Sequence, residues 1–412
     1  MEIEEEEDKF IKENPIIFKK YKVKKKLGEG AFGDVYLGQT ISNNVYVAIK
    51  TEPRKIVKPI LESEAFLLYS IAGPGIPEVK SFGKTKHYNI LIEPLLGSTL
   101  YSLYLDHNKN FTLKDICLIS IQCITRLESV HNKGIIHCDI KPENFSIGLK
   151  DKRIIYLIDF GLSKKYRSDR TKRHIQFNIT KTMCGTARYA SMNALSGLQL
   201  SRRDDLESLS YMILYFLLKK LPWQGITAKN LEKRYKKIYD KKAELEKWDK
   251  FKELPTQIQN FVKYCRSLGF SQDPDYKLMK SYFYDLMNIN NFFDDKNFSW
   301  ILDKSIIGSK MPEFFPRKKY FSLYKFYDKI EKKKLSLSVG NHIKYDFNQD
   351  KITNENKKRN NSPINLKIDN KINNNEENNQ DENVSLSDKS NSSVNGVQNY
   401  KLGKFSDNDE ES

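Results

Sequence analysis

The run His137-Cys138-Asp139-Ile140-Lys141-Pro142-Glu143-Asn144 is followed a short distance on by Asp159-Phe160-Gly161. In that order stand a carboxylate, an ammonium, an amide and a second carboxylate. One chemistry uses all four. A carboxylate orients a hydroxyl group and accepts its proton, an amide oxygen and another carboxylate hold a divalent cation, and cations offset the charge that develops on a transferred group. So complete an ordered set has a negligible chance of arising from ordinary polar surface residues. Asp139 reads as the base, Lys141 as the contact to the transferred phosphoryl group, and Asn144 and Asp159 as ligands of Mg²⁺.

Upstream, Gly28-Glu29-Gly30-Ala31-Phe32-Gly33-Asp34-Val35 fits G-x-G-x-x-G-x-V, in which glycines let a hairpin fold over phosphates without Cβ clashes. Taken alone, such a pattern is more often a simple turn or a dinucleotide-binding turn. The next residues separate the readings: a dinucleotide turn opens a helix, whereas Val35-Tyr36-Leu37 continues as a strand. Val47-Ala48-Ile49-Lys50 then places a lysine at the end of a strand, matching a V-A-I-K pattern that sets an ammonium against α- and β-phosphates. Such a lysine needs an acidic partner. The helix predicted over residues 60–70, with Leu61, Ala65 and Leu68 on one face, offers Glu62 and Glu64, of which Glu64 fits the apolar face better.

Strands are expected from residue 18 to about 50 and over 88–93. Helices come next over 113–133, where Leu118, Ile121, Ile124 and Leu127 recur near a period of 3.6, and around 204–218 and 257–268. Gly73-Pro74-Gly75-Ile76-Pro77 breaks the first helix and Gly134 closes the second. An α+β chain with a strand-rich first lobe (18–97) and a helical second lobe (98–305) results. The first 17 residues read as an acidic extension. Residues 306–333 are rich in aromatic and basic side chains, reading as a helix docked on the catalytic part or, more sharply, as a membrane- or partner-binding strip. From about residue 334 on, Asn, Lys, Ser, Asp and Glu dominate, a composition that cannot bury a core, so a disordered tail is expected.

The chain has 412 residues, 39% hydrophobic and 30% charged, a globular average diluted by that polar tail. Lys and Arg number 70 against 53 Asp and Glu, a formal charge of +17. This surplus attracts anions without choosing among them, and no clustered aromatic and basic motif points to nucleic acid, which is not expected as a partner. Cysteines 117, 123, 138, 184 and 265 form no C-x-x-C pair, which suits a reducing compartment, cytoplasmic or nuclear. Met1 opens an acidic segment unlike a leader, and no apolar run reaches the length of a membrane span.

The motifs together resemble a eukaryotic protein kinase, and further residues narrow the resemblance to the casein kinase I family. These are residues 27–38, Gly75-Ile76-Pro77, Leu95-Leu96-Gly97 and Lys141-Pro142-Glu143-Asn144-Phe145. Most specific are Gly185-Thr186-Ala187-Arg188-Tyr189-Ala190-Ser191, which stands where most kinases carry Ala-Pro-Glu, then Ser201-Arg202-Arg203-Asp204-Asp205-Leu206-Glu207-Ser208 and Leu221-Pro222-Trp223-Gln224-Gly225. The resemblance runs from about residue 21 to 300. It implies a bilobal kinase fold and a monomeric serine/threonine kinase that uses ATP and Mg²⁺ on acidic or phosphate-primed proteins. Lys50, Glu64, Asp139 and Lys141 would be catalytic. Nucleotide would contact Leu27 and the turn Gly28, Glu29, Gly30, Ala31, Phe32 and Gly33. Val35, Ala48, Lys50, Glu93, Leu95 and Leu96 would complete that site. An anion site for a primed phosphate would use Lys181, Arg188, Gly225 and Arg234, the last standing where the family usually has Lys; a guanidinium suits phosphate because its planar donors bind two oxygens at once. Asp205 would hold the catalytic loop's backbone, a structural role.

Three departures stand out. Cys138 replaces an arginine that normally pairs with a phosphorylated activation loop, so activity independent of such phosphorylation is expected. Glu93 aligns with the position that closes the back of the nucleotide pocket, where a bulky apolar residue is usual. A buried, unpaired carboxylate there would be costly, so either the register slips and Ile92 takes the position, or the back pocket is polar. Pro94 comes next, removing a backbone donor, although the donor to adenine would be Leu95 or Leu96. These departures leave a second reading open, a pseudokinase scaffold of the same fold. In the tail, Ser385, Ser387, Ser390, Ser392 and Ser393 stand among acidic residues and could become phosphorylated pseudo-substrates for the anion site.

Overall fold

In the computed structural model of the chain, residues 8–29, 33–56, 59–180 and 182–302 are described. The first lobe is built on period-2 alternation, which sends successive side chains of a strand to opposite faces. Strands β1 (Ile16–Ile17), β2 (Tyr21–Glu29), β3 (Asp34–Thr40), β4 (Tyr46–Pro53), β5 (Ser81–Lys84) and β6 (Tyr88–Pro94) form one sheet in the order β1-β2-β3-β4-β6-β5. All its pairings are antiparallel. One face buries Val23, Tyr36, Val47, Ile49, Ile90 and Ile92 in a single cluster. The other carries Val35, Leu37, Ala48 and, just past β6, Leu95, with Leu27 packed against them. Helix α2 (Leu61–Ile71) turns Leu61, Ala65, Leu68 and Ile71 into the main core.

The lobe starts earlier than the boundary expected at Phe18. Asp8 caps a short helix, α1 (Lys9–Glu13), by accepting from the Phe10 N–H. Phe10 is buried, stacked on Tyr36 at 4.5 Å and edge-on to Tyr88 at 5.0 Å. Strand β1 then pairs Ile16 with Lys22 and Ile17 with Tyr21. The acidic composition hid these few apolar anchors, which cover the sheet's outer face.

The second lobe is helical, with α3 (Leu100–Asp106), α4 (Leu113–Asn132), α5 (Met192–Leu195), α6 (Arg202–Leu218), α7 (Leu231–Ala243), α8 (Asp249–Lys252), α9 (Thr256–Ser267), α10 (Tyr276–Ile289) and α11 (Ser299–Leu302). Helices α4 and α6 start at capping boxes, Thr112 with Asp115 and Ser201 with Asp204, which satisfy otherwise orphaned N–H groups. Two short strand pairs matter more for the chemistry. Strand β7 (Ile135–Ile136) pairs with β10 (Lys164–Lys165), and β8 (Phe145–Ile147) pairs with β9 (Ile155–Leu157). Asn144 immediately precedes β8 and Asp159 lies just past β9, so one hairpin brings together two residues far apart in sequence; the Ile158 N–H donates to the Asn144 carbonyl at 2.9 Å.

All five cysteines are free thiols; Cys117, Cys123, Cys138 and Cys265 are buried and Cys184 is partly exposed. Among the described residues no helix is long and apolar enough to cross a membrane. The aromatic segment 306–333 and the tail expected to be disordered lie outside the described residues, as do Gly30, Ala31, Phe32 and Lys181.

Candidate active site

Lys50 lies in β4 opposite Leu91 of β6, on the face that also carries Ala48. Its Nζ stands 2.9 Å from Glu64 Oε1 and 2.9 Å from Glu93 Oε2. Glu64 is therefore the helix carboxylate that meets this lysine, whereas Glu62 faces outward and pairs with Lys84 at the surface. Glu64 Oε1 also accepts the Phe160 N–H at 3.2 Å, which ties α2 to the Asp159-Phe160-Gly161 segment.

The strand register decides between Glu93 and Ile92. Glu93 pairs with Ala48 and Ile92 with Ile49, and Ile92 is buried in the cluster on the sheet's opposite face. No slip occurs, and the back of the cleft is polar. Glu93 is almost fully buried, and Lys50 compensates its charge. Burial works against the charged ammonium, but Glu64, Glu93 and Asp159 outweigh it and raise the Lys50 pKa. Burial pushes the Glu64 carboxyl up to about 7, with Asp159 and Glu93 adding repulsion and Lys50 opposing.

Of the residues expected around nucleotide, Leu27, Val35, Ala48 and Leu95 share one small apolar cluster, and Leu96 is buried beside them in sequence. Gly28 and Glu29 end β2, paired with Val35 and Asp34. At Gly33 a Cβ would lie 1.7 Å from the Thr51 carbonyl oxygen, so the turn can close against β4 only with glycine there.

Asp139 is the centre of the loop between β7 and the Pro142–Asn144 turn. Its Oδ1 accepts from the Thr186 N–H at 2.9 Å and the Thr186 hydroxyl at 2.8 Å, and its Oδ2 pairs with Lys141. Burial works against its charge, but the Lys141 cation and the bonds from Lys141 and Thr186 prevail and hold the carboxyl below the usual aspartate value. Residues Pro142–Asn144 form a 3₁₀ turn that brings the Asn144 amide N–H back to the Asp139 carbonyl at 2.8 Å. That bond leaves the amide oxygen of Asn144 as the donor for a cation. With the Asp159 carboxylate it makes a hard-oxygen pair, the ligand type that Mg²⁺ takes when substrate phosphate and water complete its shell. Among the described residues no group of three or more His, Cys, Asp or Glu could hold a metal.

Asp205 does what the resemblance implied. It accepts the His137 N–H at 2.7 Å and the Cys138 N–H at 2.8 Å, fixing the loop just ahead of Asp139. Cys138 has φ 68° and Asp159 φ 64°, left-handed values that a non-glycine residue keeps only when its surroundings enforce them. The sequence did not single out His131, whose Nε2 lies 2.9 Å from Asp205 Oδ2 and whose Nδ1 lies 2.7 Å from the Tyr276 hydroxyl. Burial lowers its pKa, with the Asp205 hydrogen bond and charge working the other way.

The expected anion site is only partly in view. Arg188 is half-buried, its guanidinium 5.8 Å from the Tyr189 ring centre and 5.7 Å from that of Tyr215. Trp223 Nε1 donates to the Arg188 carbonyl at 2.7 Å, and Arg234 Nε to the Ile226 carbonyl at 3.0 Å. The turn through Gly225, at φ 78°, thus links the two arginines' backbones and side chains. Lys242, also not foreseen, is fully buried; its ammonium donates to the Ala187 and Ala190 carbonyls at 3.1 and 2.6 Å and supports the segment carrying Arg188. A long polar side chain in α7 gave no sequence signal for this, because α7 is rich in solvated lysines.

Lys50, through Glu64 and Phe160, and the Asp139 loop, through Asn144 and Ile158, converge on the Asp159 segment. Residues 21–275 match the family model of the protein kinase domain. The chain belongs to the protein kinase family, whose members transfer a phosphoryl group from ATP to proteins.

Proposed function

We propose that the chain is an active serine/threonine kinase of the casein kinase I type, acting with Mg²⁺ on acidic or phosphate-primed proteins. The observation that carries this reading is that the catalytic set is assembled: Lys50 is held by Glu64, Glu64 holds Phe160, and Asp139 is fixed by Lys141, Thr186 and Asn144. Asp139 would orient the acceptor hydroxyl and take its proton, and Lys141 would contact the phosphoryl group as charge develops. Lys50 would position the α- and β-phosphates, and Asn144 and Asp159 would hold the cation that neutralises phosphate charge. Arg188 and Arg234, with Lys181 and Gly225, would read a primed phosphate. The domain limits 18–97 and 98–305, with a start moved to Asp8, and a monomeric cytoplasmic or nuclear enzyme complete the reading.

One observation favours a second reading, a scaffold of the same fold that binds nucleotide weakly. Glu93 places a second buried carboxylate on the lysine that phosphates need. The deciding experiment tracks labelled γ-phosphate from Mg·ATP to casein and to acidic or primed Ser peptides, by the full chain and by Asp139→Asn. Transfer by the full chain and a loss of at least about a thousandfold in the variant is expected. A folded chain with no transfer would leave the scaffold.

A further inference from the structure

Two cysteines flank the catalytic aspartate in space. Cys138 immediately precedes Asp139, and Cys184 precedes Gly185 and Thr186, the latter bound to Asp139 through its N–H and hydroxyl. The two segments touch: a Cβ on Gly185 would lie 2.6 Å from the Cys138 carbonyl oxygen, and Gly185 has φ 86°. Both cysteines line one small cavity at the N-terminal end of α6, and their thiols lie near enough for each to shift the other's titration, while the Cys138 thiol points to the Ile136 carbonyl. Cys138 is buried and Cys184 partly exposed, so an oxidant reaches Cys184 first.

We propose that Cys138 and Cys184 form a reversible disulfide site, closed by a hydroperoxide-class oxidant, which links the catalytic loop to the Thr186 segment and suppresses phosphoryl transfer. The second part rests on the kinase reading; the site itself does not. In the first step, with hydrogen peroxide, the Cys184 thiolate attacks one peroxide oxygen, the O–O bond breaks, and the departing hydroxide takes up the proton the thiol had released, giving sulfenic acid and water. Cys138 sulfur then attacks the sulfenic sulfur. The S–O bond breaks, and hydroxide leaves with the Cys138 proton as a second water. Two thiols are oxidised and one peroxide is reduced to two waters.

The surroundings favour this order. The neighbouring Cys138 thiol lowers the Cys184 thiol to about 7 against the effect of burial; Lys164 adds to the lowering, and Asp139 and Asp205 oppose it. Cys184 and burial push the Cys138 thiol well up, so it suits the resolving role. A disulfide holds its sulfurs about 2 Å apart, closer than two thiols pack. Closing it therefore drags Asp139 and Thr186 out of register, and misplacement of about 1 Å at a reacting centre costs on the order of a hundredfold in rate.

The test treats the full chain with hydrogen peroxide, caps the remaining thiols by alkylation and maps unreduced peptides by mass spectrometry. A peptide pair joining Cys138 to Cys184, absent after dithiothreitol, is expected. The transfer rate should fall about ten- to a hundredfold and return on reduction. Cys184→Ser should keep its basal rate and hold it in peroxide; if that variant does not fold, the unmodified chain's peptide map still decides the site. Recovery of both cysteines capped, or of Cys184 oxidised singly with Cys138 capped, overturns the site. A linked chain with an undiminished rate overturns the suppression. A linked chain that transfers no phosphate in either state refutes the kinase reading and leaves the site standing.

Discussion

Glu93→Gln keeps the shape of the residue behind Lys50 and removes its charge. Glu64 Oε1 and Glu93 Oε2 each stand 2.9 Å from the same Nζ, so they are no further apart than twice that distance. At an effective dielectric constant of about 20, two charges roughly 6 Å apart repel by about 3 kcal/mol, or about two pKa units. Lys50 between them reduces this, so the variant should lower the Glu64 pKa from about 7 by roughly one to two units. Protonating Glu64 removes one of the two anions that hold Lys50 and the one that also ties it to Phe160, so kcat/KM should fall on the acid side as Glu64 takes up its proton. Asp139 is held below the usual aspartate value and does not produce that limb. The assay is the pH profile of kcat/KM for Mg·ATP in both proteins, which reports groups of the free enzyme. The acid limb should lie near neutrality in the unmodified chain and about one to two units lower in Glu93→Gln. Cys184 and Lys242 also titrate near pH 7, but both are present in both proteins, so the difference isolates Glu64. A folded variant whose limb stays in place, or moves up, refutes the shared-lysine argument.

Asp205→Ala leaves the His137 and Cys138 N–H groups and His131 without their acceptor. At about 1–3 kcal/mol for each orphaned group, denaturant unfolding should show a loss of at least about 3 kcal/mol, with kcat falling more than the ATP KM rises. A loss under about 1 kcal/mol would contradict the anchoring role. Phe10→Ala removes the ring stacked on Tyr36 and should lower stability by about 3–5 kcal/mol; an unchanged melting temperature would mean that the N-terminal helix does not cover the sheet in solution. Phosphatase treatment should leave the transfer rate within about twofold, because Cys138 replaces the arginine that would anchor a phosphorylated loop. A rate abolished without unfolding would contradict this.

Linear spacing made much of this protein legible. The Asp139, Lys141, Asn144 and Asp159 set lies on one short hairpin and its entry, so local chain geometry alone brings it together. The helix over residues 113–132 follows from its period near 3.6, and the strand over 88–94 from a short apolar run buried on both faces. Choosing Glu64 over Glu62 needed only the apolar side of an amphipathic turn. Other features depend on pairings between distant segments. Glu93 was ambiguous in sequence because a one-residue shift in strand register exchanges the two faces, and only the pairing of β4 with β6 fixes that register. The Cys138 and Cys184 segments, the His131 ring on Asp205 and the buried Lys242 beneath Ala187 each join stretches with no shared periodicity. Phe10 is a single apolar residue in an acidic stretch, and its burial is decided by Tyr36 and Tyr88 across the sheet. The sequence by itself determined which chemical groups the cleft contains, because their order along the chain is nearly their order in space. The tertiary structure alone decided which of their charges meet, because ion pairing depends on distances that only packing sets.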